Sequence, residues 1–373
     1  MTSELSSLCS YAKGKVSVDT LSKRNYVSTE NMVPNKGGIV DAGALPSAQY
    51  TQQYIKDDIL VSNIRPYFKK IWMADDDGGC SNDVLVFRAE CGCDSTFLYY
   101  VLANDAFFNY ASATSKGTKM PRGDKTAIMQ YEVPCFNHET QLRIGKLLRS
   151  IDDRITVNKK INDNLQQQVA ALFANFYDRA ETEVGFTEII QILGGGTPKT
   201  GESSYWNGNV PFFTPKDVGS PYTLATEKTI TEKGLAHCNS RLYPVNTVFV
   251  TARGTVGKVG LPGIPMAMNQ SCYALVGKDT HQLLVYFYTL KAVDRLKHKA
   301  SGAVFDAITT RDFESEIIMK LSDDDEKAFL DVAQPIYQAV LSNSIENLRL
   351  AALRDSLLPK LMSGEIDVSG VQL

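Results

Sequence analysis

IDDRITVNKKINDNLQQQVAAL (Ile151–Leu172) and IYQAVLSNSIENLRLAALRDSL (Ile336–Leu357) carry one pattern twice, at an offset of 185 residues. Ile151, Ile155, Asn158, Asn162, Leu165 and Leu172 line up with Ile336, Val340, Asn343, Asn347, Leu350 and Leu357. Steps of four, three, four, three and seven residues put each set on one face of a long helix, as a heptad seam. A single asparagine on such a seam is explained by solvation. The same two asparagines on two helices point to pairing across an interface, where a buried amide pair fixes register at some cost in stability.

The duplication extends outward from the helices. NYVSTENMVP (from Asn25) matches PFFTPKDVGS (from Pro211) at an offset of 186, and SNDVLVFRAE (from Ser81) matches NQSCYALVGK (from Asn269) at 188. DDILVSNIRP (from Asp57) runs an apolar strand into a hydroxyl residue and an arginine, as does NTVFVTARGT (from Asn246), so Arg65 is set against Arg253 at 188. SKGT (Ser115–Thr118) faces ASGA (Ala300–Ala303), and AIMQYEVP (from Ala127) faces DFESEIIM (from Asp312), both at 185. A repeat of this length, with strand-like and helical parts alternating, specifies the architecture before any single motif does.

The expected fold is α/β (α+β), with two globular regions separated by two long antiparallel helices and an internal pseudo-twofold repeat. The segments are 1–138, a first globule rich in short strands; 139–183, holding a helix to about residue 180; 184–320, a second globule; and 321–373, a second helix with its tail. Gly364 suits the C-cap of that last helix. Pro335 is expected in its first turns or at a kink, and the acidic run Asp323–Glu326 suits its N-terminus through the helix dipole.

Length and composition are those of a chain of two or three domains: 373 residues, 43% hydrophobic and 22% charged. No apolar run approaches the 18 or so residues of a membrane span, and the first residues lack the apolar core of a signal peptide, so a cytoplasmic protein is expected. The seven cysteines contain no C-x2-C pair and read as buried free thiols rather than zinc ligands. The four histidines have no metal spacing, no G-x-S-x-G elbow is present, and no Pro-Pro pair exists. No carboxylate pair recurs in both copies. Binding is therefore favoured over catalysis, and no catalytic or metal residue is assigned.

GGGTPKTG (Gly194–Gly201) looks like a phosphate cradle and fails the test. After Gly196 and Gly201, the lysine and hydroxyl positions of the loop hold Glu202 and Ser203, and Pro198 removes an N–H. A G-x-G-x-x-G reading puts Lys199 at the last glycine. What does recur is recognition chemistry. Arg65 and Arg253 follow strands, and arginine forks onto guanine edges. Asn63, Asn269 and Gln270 carry amides, the latter two suited to adenine. Lys116, Lys119, Arg122 and Lys125 crowd the loop TSKGTKMPRGDK; Thr197, Lys199, Lys216 and Lys258 lie on loops of the second copy. The net charge of −3 is low for a DNA binder. Basic residues must be segregated on one face, or another subunit must share the neutralisation.

GGGTPKTGESSYWNGNVPFFTPKDV (Gly194–Val218) resembles the opening of a target-recognition domain in the specificity subunit of type I restriction–modification systems. YVSTENM (Tyr26–Met32) resembles the same landmark. LLRSIDDRITVNKKINDNLQQQVAALFANFY (Leu147–Tyr177) and LRDSLLPKLMSGEI (Leu353–Ile366) are similar to the family's two conserved helices. The resemblance implies a subunit without catalysis of its own, whose two globules each read one half of a split target in double-stranded DNA. It implies helices that act as a spacer and dock two modification (methyltransferase) subunits, with restriction (motor-nuclease) subunits joining the complex. It places S-adenosylmethionine in the modification subunits and ATP with Mg in the restriction subunits, with no cofactor in this chain. The first copy departs from the pattern, with Lys13–Lys15 (KGK) where a GGTP loop would stand. About 26 residues of helix span roughly 39 Å, close to the 34–36 Å or so of one DNA turn, which suits a spacer. A fused restriction–methylation enzyme would need a catalytic motif. A non-DNA coiled-coil adaptor or scaffold would use the globules to bind protein.

Overall fold

The computed structural model describes residues 2–219, 221–299 and 307–371. The chain divides into two compact units, Met1–Ile155 with Arg349–Leu373, and Thr156–Leu348. This partition by compactness cuts through both long helices, His138–Tyr177 and Asp323–Ser363.

Each unit is built on the same plan. In the first, Cys9–Tyr11, Val84–Ala89, Ile59–Ser62 and Ile71–Met73 form an antiparallel sheet in that order. Its counterpart runs Ile190–Gly194, Cys272–Gly277, Val248–Thr251 and Val259–Pro262, with Tyr222–Thr223 added at the edge. The second sheets share a rarer feature, a short parallel pair. Tyr26 and Val27 pair with Gly79 and Cys80, as Phe212 and Phe213 pair with Ala267 and Met268. A third pairing joins Thr2–Glu4 to Glu132–Pro134, and Thr182–Gly185 to Ile317–Lys320. Two backbones that agree in both antiparallel and parallel partners are copies, because register is set by which face each residue buries.

The structure corrects one alignment. Ile64 bridges Arg122 as Arg253 bridges Ala307. Asp57 and Asn246 share φ values of 69° and 68°, and Arg65 (49°) shares the left-handed region with Gly254 (83°). The offset in this strand is therefore 189: Arg253 corresponds to Ile64, and Arg65 stands where the second copy has a glycine. The SKGT–ASGA match cannot be checked in the same way, since Ala300–Ala303 lie outside the described residues.

The long helices are His138–Tyr177 and Asp323–Ser363. The second continues through Pro335, twelve residues past its start, which costs the hydrogen bond to the carbonyl four residues back. It ends as expected: Gly364 is left-handed (φ 75°), and the Glu365 amide donates to Lys360 O at 3.0 Å. In the second unit the seam is a ladder of amides. Asn158 Nδ2 donates to Asn347 Oδ1 at 3.0 Å, and Asn343 Nδ2 donates to Asn162 Oδ1 at 2.9 Å. The 185-residue offset carries the first bond onto the second, so the pairing obeys the repeat. Partner positions fall as chain positions rise, so the helices are antiparallel here. Ile151 and Ile155 are buried in the first unit, and Val340 in the second. Leu165 and Ile336 pack on the second core and Leu350 is half-buried.

Each unit has its own core, and each core takes in its share of the helices. Leu148, Leu358 and Leu361 join Phe97, Phe107 and Phe108 in the first. In the second, Phe173 meets Phe287 (4.9 Å, stacked), Tyr288 and Phe329. Truncating so central a ring to alanine costs about 3–5 kcal/mol. The seven cysteines are free, and only Cys9, Cys80 and Cys272 are buried; Cys91 and Cys135 are exposed, against the expectation of buried thiols throughout. Burial pushes the three buried thiols up to about 12, so they remain protonated packing groups. Among the described residues no helix is long and apolar enough to cross a membrane.

Candidate nucleic-acid interface

In the second unit, four loops at one end of the sheet are tied together. The GGGTPKTG loop touches the Met268–Ser271 turn through Thr197 Oγ1, which donates to Gln270 Oε1. The turn's Ser271 carbonyl accepts from the Ala252 and Arg253 amides at 2.8 and 3.3 Å. The RGTVGK loop in turn reaches the TPKD loop, where Thr255 Oγ1 donates to Pro215 O at 3.2 Å. Thr197, Lys216, Arg253, Asn269 and Gln270 thus come from four separate stretches to one connected rim. Lys258 closes the RGTVGK loop, its amide donating to Thr251 Oγ1 at 2.9 Å.

Two of the four glycines of GGGTPKTG serve packing, while Gly194 and Gly201 have open space beside them. A Cβ on Gly195 would stand 2.0 Å from Asn269 O, and one on Gly196 would stand 2.6 Å from Asn239 N. Neighbouring motif residues are structural as well. Trp206 Nε1 donates to Lys199 O at 3.2 Å. Thr214 N and Oγ1 both donate to Asp217 Oδ2, at 2.8 and 2.6 Å, a capping box; Lys216 beside it is 81% exposed, with its Nζ 3.9 Å from Glu227 Oε2. Asn269 Oδ1 accepts from the Ser271 amide at 3.0 Å, and the side chain is half-buried. Lys199, Arg253, Lys258 and Gln270 are exposed. Beside them lies a cleft of about 400 Å³ bounded by Gly195–Thr197, His237–Asn239 and Gln270. His237 and Asn239 were not legible as part of it, because they reach it from a turn that carries no motif.

The first unit also gathers its candidates. The Asn63 amide donates to Asp83 O at 2.8 Å and its carbonyl accepts from Gly123 N at 3.2 Å. The Arg65 amide donates to Pro121 O at 2.8 Å, while Lys116 and Arg122 exchange two backbone bonds of 2.9 Å. Their side chains behave differently from the expectation of open cations. Arg122 pairs with Asp83 at 2.9 Å and Lys116 with Asp124 at 2.6 Å. Asn63 is only 7% exposed. Asn63 Oδ1 and Arg65 Nε are buried without a hydrogen-bond partner, which costs about 1–3 kcal/mol each. Lys119 remains exposed. Among the described residues no group of three or more His, Cys, Asp or Glu could hold a metal ion.

The type I restriction modification DNA specificity domain family matches residues 1–167 and again 182–326. The chain belongs to this family. The double match coincides with the two copies of the sheet plan. Among curated relatives, the MjaIX specificity subunit of Methanocaldococcus jannaschii is 32% identical over 124 residues, which is 32% of this chain and 29% of that one. The HindI specificity subunit of Haemophilus influenzae is 24% identical over 83% of this chain and 87% of its own. The chain thus spans under a third of the first relative and most of the second. Such specificity subunits are the non-catalytic components of type I restriction enzymes. The crystal structure of a type I restriction–modification S subunit from M. genitalium has this fold, with a TM-score of 0.61 at 16% identity, covering 97% of this chain and 96% of that one.

Proposed function

We propose that the chain is the DNA-reading subunit of a type I system that acts in the cytoplasm. Each copy of the specificity domain reads one half of a bipartite target in double-stranded DNA, and the two long helices set the gap and dock two modification subunits. Restriction subunits complete the assembly. S-adenosylmethionine serves the modification subunits and ATP with Mg the restriction subunits, none of it held here. The observation that carries this reading is the duplicated specificity domain, each copy presenting polar loops at one end of its sheet. Neutralisation shared with the partners accounts for a net charge of −3 in a DNA-binding chain.

The experiment is to express the chain with its neighbouring methyltransferase gene and map methylated adenine by single-molecule sequencing. A bipartite motif that disappears when the chain is deleted is expected. Exchanging residues 1–138 for those of a relative should change one half only, and matched two-turn deletions in both helices should shorten the gap. A methylome indifferent to the chain would instead favour the adaptor reading.

A further inference from the structure

Of the sequence-selected cations of the first unit, Lys116 and Arg122 are paired inside the chain, while Lys119 is exposed. Other cations without an ion pair gather in a cleft. A cleft of about 510 Å³ at the end of the first sheet is lined by Lys13, Lys15 and Lys125 together with Tyr50, Gln52 and Asn82, and no acidic residue lines it. Among the described residues none of the three lysines forms an ion pair; Lys125 Nζ sits 6.0 Å from the Tyr11 ring centroid. Lys15 is the cross-strand partner of Gln52, so a cation and an amide stand side by side. The turn that carries Asn82 is bonded to the strand end at Asn63, where Oδ1 is buried and has no partner.

Register identifies the place. Tyr11 pairs with Phe87 as Ile192 pairs with Leu275. Lys13–Gly14–Lys15 therefore occupies the position of Gly194–Gly195–Gly196, and Asn82 that of Gln270. The two clefts are one feature of the repeated fold, built with lysines in the first copy and with glycines, Thr197 and His237 in the second. Gly14 has φ 139°, which turns the chain between the two lysines at a position that disfavours any side chain.

We propose that this cleft is where the first copy holds its DNA half-site: Lys13, Lys15 and Lys125 take backbone phosphates, and Gln52 and Asn82 read base edges. The inference rests on the DNA-reading function proposed above and assigns it to residues. Amides recognise adenine through paired donor and acceptor atoms, and ammonium groups supply the sequence-independent part of binding.

The test uses the full chain co-purified with its methyltransferase, on duplexes carrying the mapped motif, by fluorescence anisotropy from 50 to 200 mM KCl. Replacing Lys13 and Lys15 by alanine removes two phosphate contacts. The slope of log K against log salt should then fall by about 1.8, alike for matched and mismatched duplexes. K13R/K15R should keep the parent slope. Q52A/N82A should keep the slope and lose about 5- to 150-fold of base discrimination, confined to the half-site assigned to residues 1–138. An unchanged slope in K13A/K15A, or an unchanged motif in Q52A/N82A, overturns the assignment while the chain-dependent motif still stands. Absence of any chain-dependent motif overturns the DNA-reading function itself.

Discussion

Asn162 lies at the centre of the amide ladder and is 7% exposed. Its Nδ2 donates to Val340 O at 3.1 Å and to Ser344 Oγ at 3.2 Å, and its Oδ1 accepts from Asn343 Nδ2 at 2.9 Å. Asn162→Ala removes all three bonds, each worth about 1 kcal/mol net. Alanine returns about 0.5 kcal/mol in helix propensity, so a loss of roughly 2–3 kcal/mol is expected. Asn343→Ala removes one of the same bonds, for about 0.5–1 kcal/mol. Because that bond is shared, a double-mutant cycle should show a coupling of about 1 kcal/mol. The two tryptophans make the measurement specific, since Trp72 lies in the first unit and Trp206 in the second. In a Trp72→Phe background, urea unfolding followed by Trp206 emission reports the unit that holds the ladder. With a slope near 3 kcal/mol/M, Asn162→Ala should lower the midpoint by about 0.8 M. Replacing both Asn162 and Asn343 by leucine should leave stability within about 1 kcal/mol of the parent, because no polar group is then stranded. A midpoint shift below about 0.2 M for Asn162→Ala, or a coupling near zero, would refute the view that these amides are paired across the seam.

Two further outcomes follow from local geometry. Gly254 is left-handed, and a Cβ there meets nothing within 4 Å, so Gly254→Ala should cost about 1–2 kcal/mol from the dihedral alone. Arg65→Gly, at the matching position, relieves the left-handed strain and removes the unpartnered Nε, so it should be neutral or stabilising; equal costs at both sites in urea unfolding would contradict their equivalence. Burial is the main cause that holds the Glu326 carboxyl above its usual range; Lys320 opposes it, Asp323 reinforces it, and Oε1 has no hydrogen-bond partner. A raised folded value means the protonated form favours folding. That contribution is present below the unfolded value of about 4.3 and is lost as pH rises through the folded one. Glu326→Gln should therefore stabilise the second unit at neutral pH and flatten its stability profile across that window, as read by thermal unfolding at stepped pH.

The duplication was legible because heptad spacing and strand alternation are local signals, and a copy made them visible twice. The asparagine ladder followed from it, since two amides at matched seam positions can meet only if the helices pair. Alignment slipped at Arg65, where a left-handed residue is glycine in one copy and arginine in the other; dihedral angle, not residue type, carries that equivalence. The candidate cations of the first unit were legible as a basic loop that also holds Asp124, but the pairing of Arg122 with Asp83 was not, because Asp83 comes from a distant turn.

The sequence by itself determined the repeat, the long helices, the family and the loops that carry polar chemistry. Those depend on periodicity and on motifs that run continuously along the chain. Tertiary structure alone decided which charges are free. Lys13, Lys15, Gln52, Asn82 and Lys125 are scattered over more than a hundred residues, and they form one cleft only because antiparallel pairing lays their strands and turns side by side. Whether a lysine faces solvent or a carboxylate is settled by neighbours distant in sequence, and that is a property of the fold.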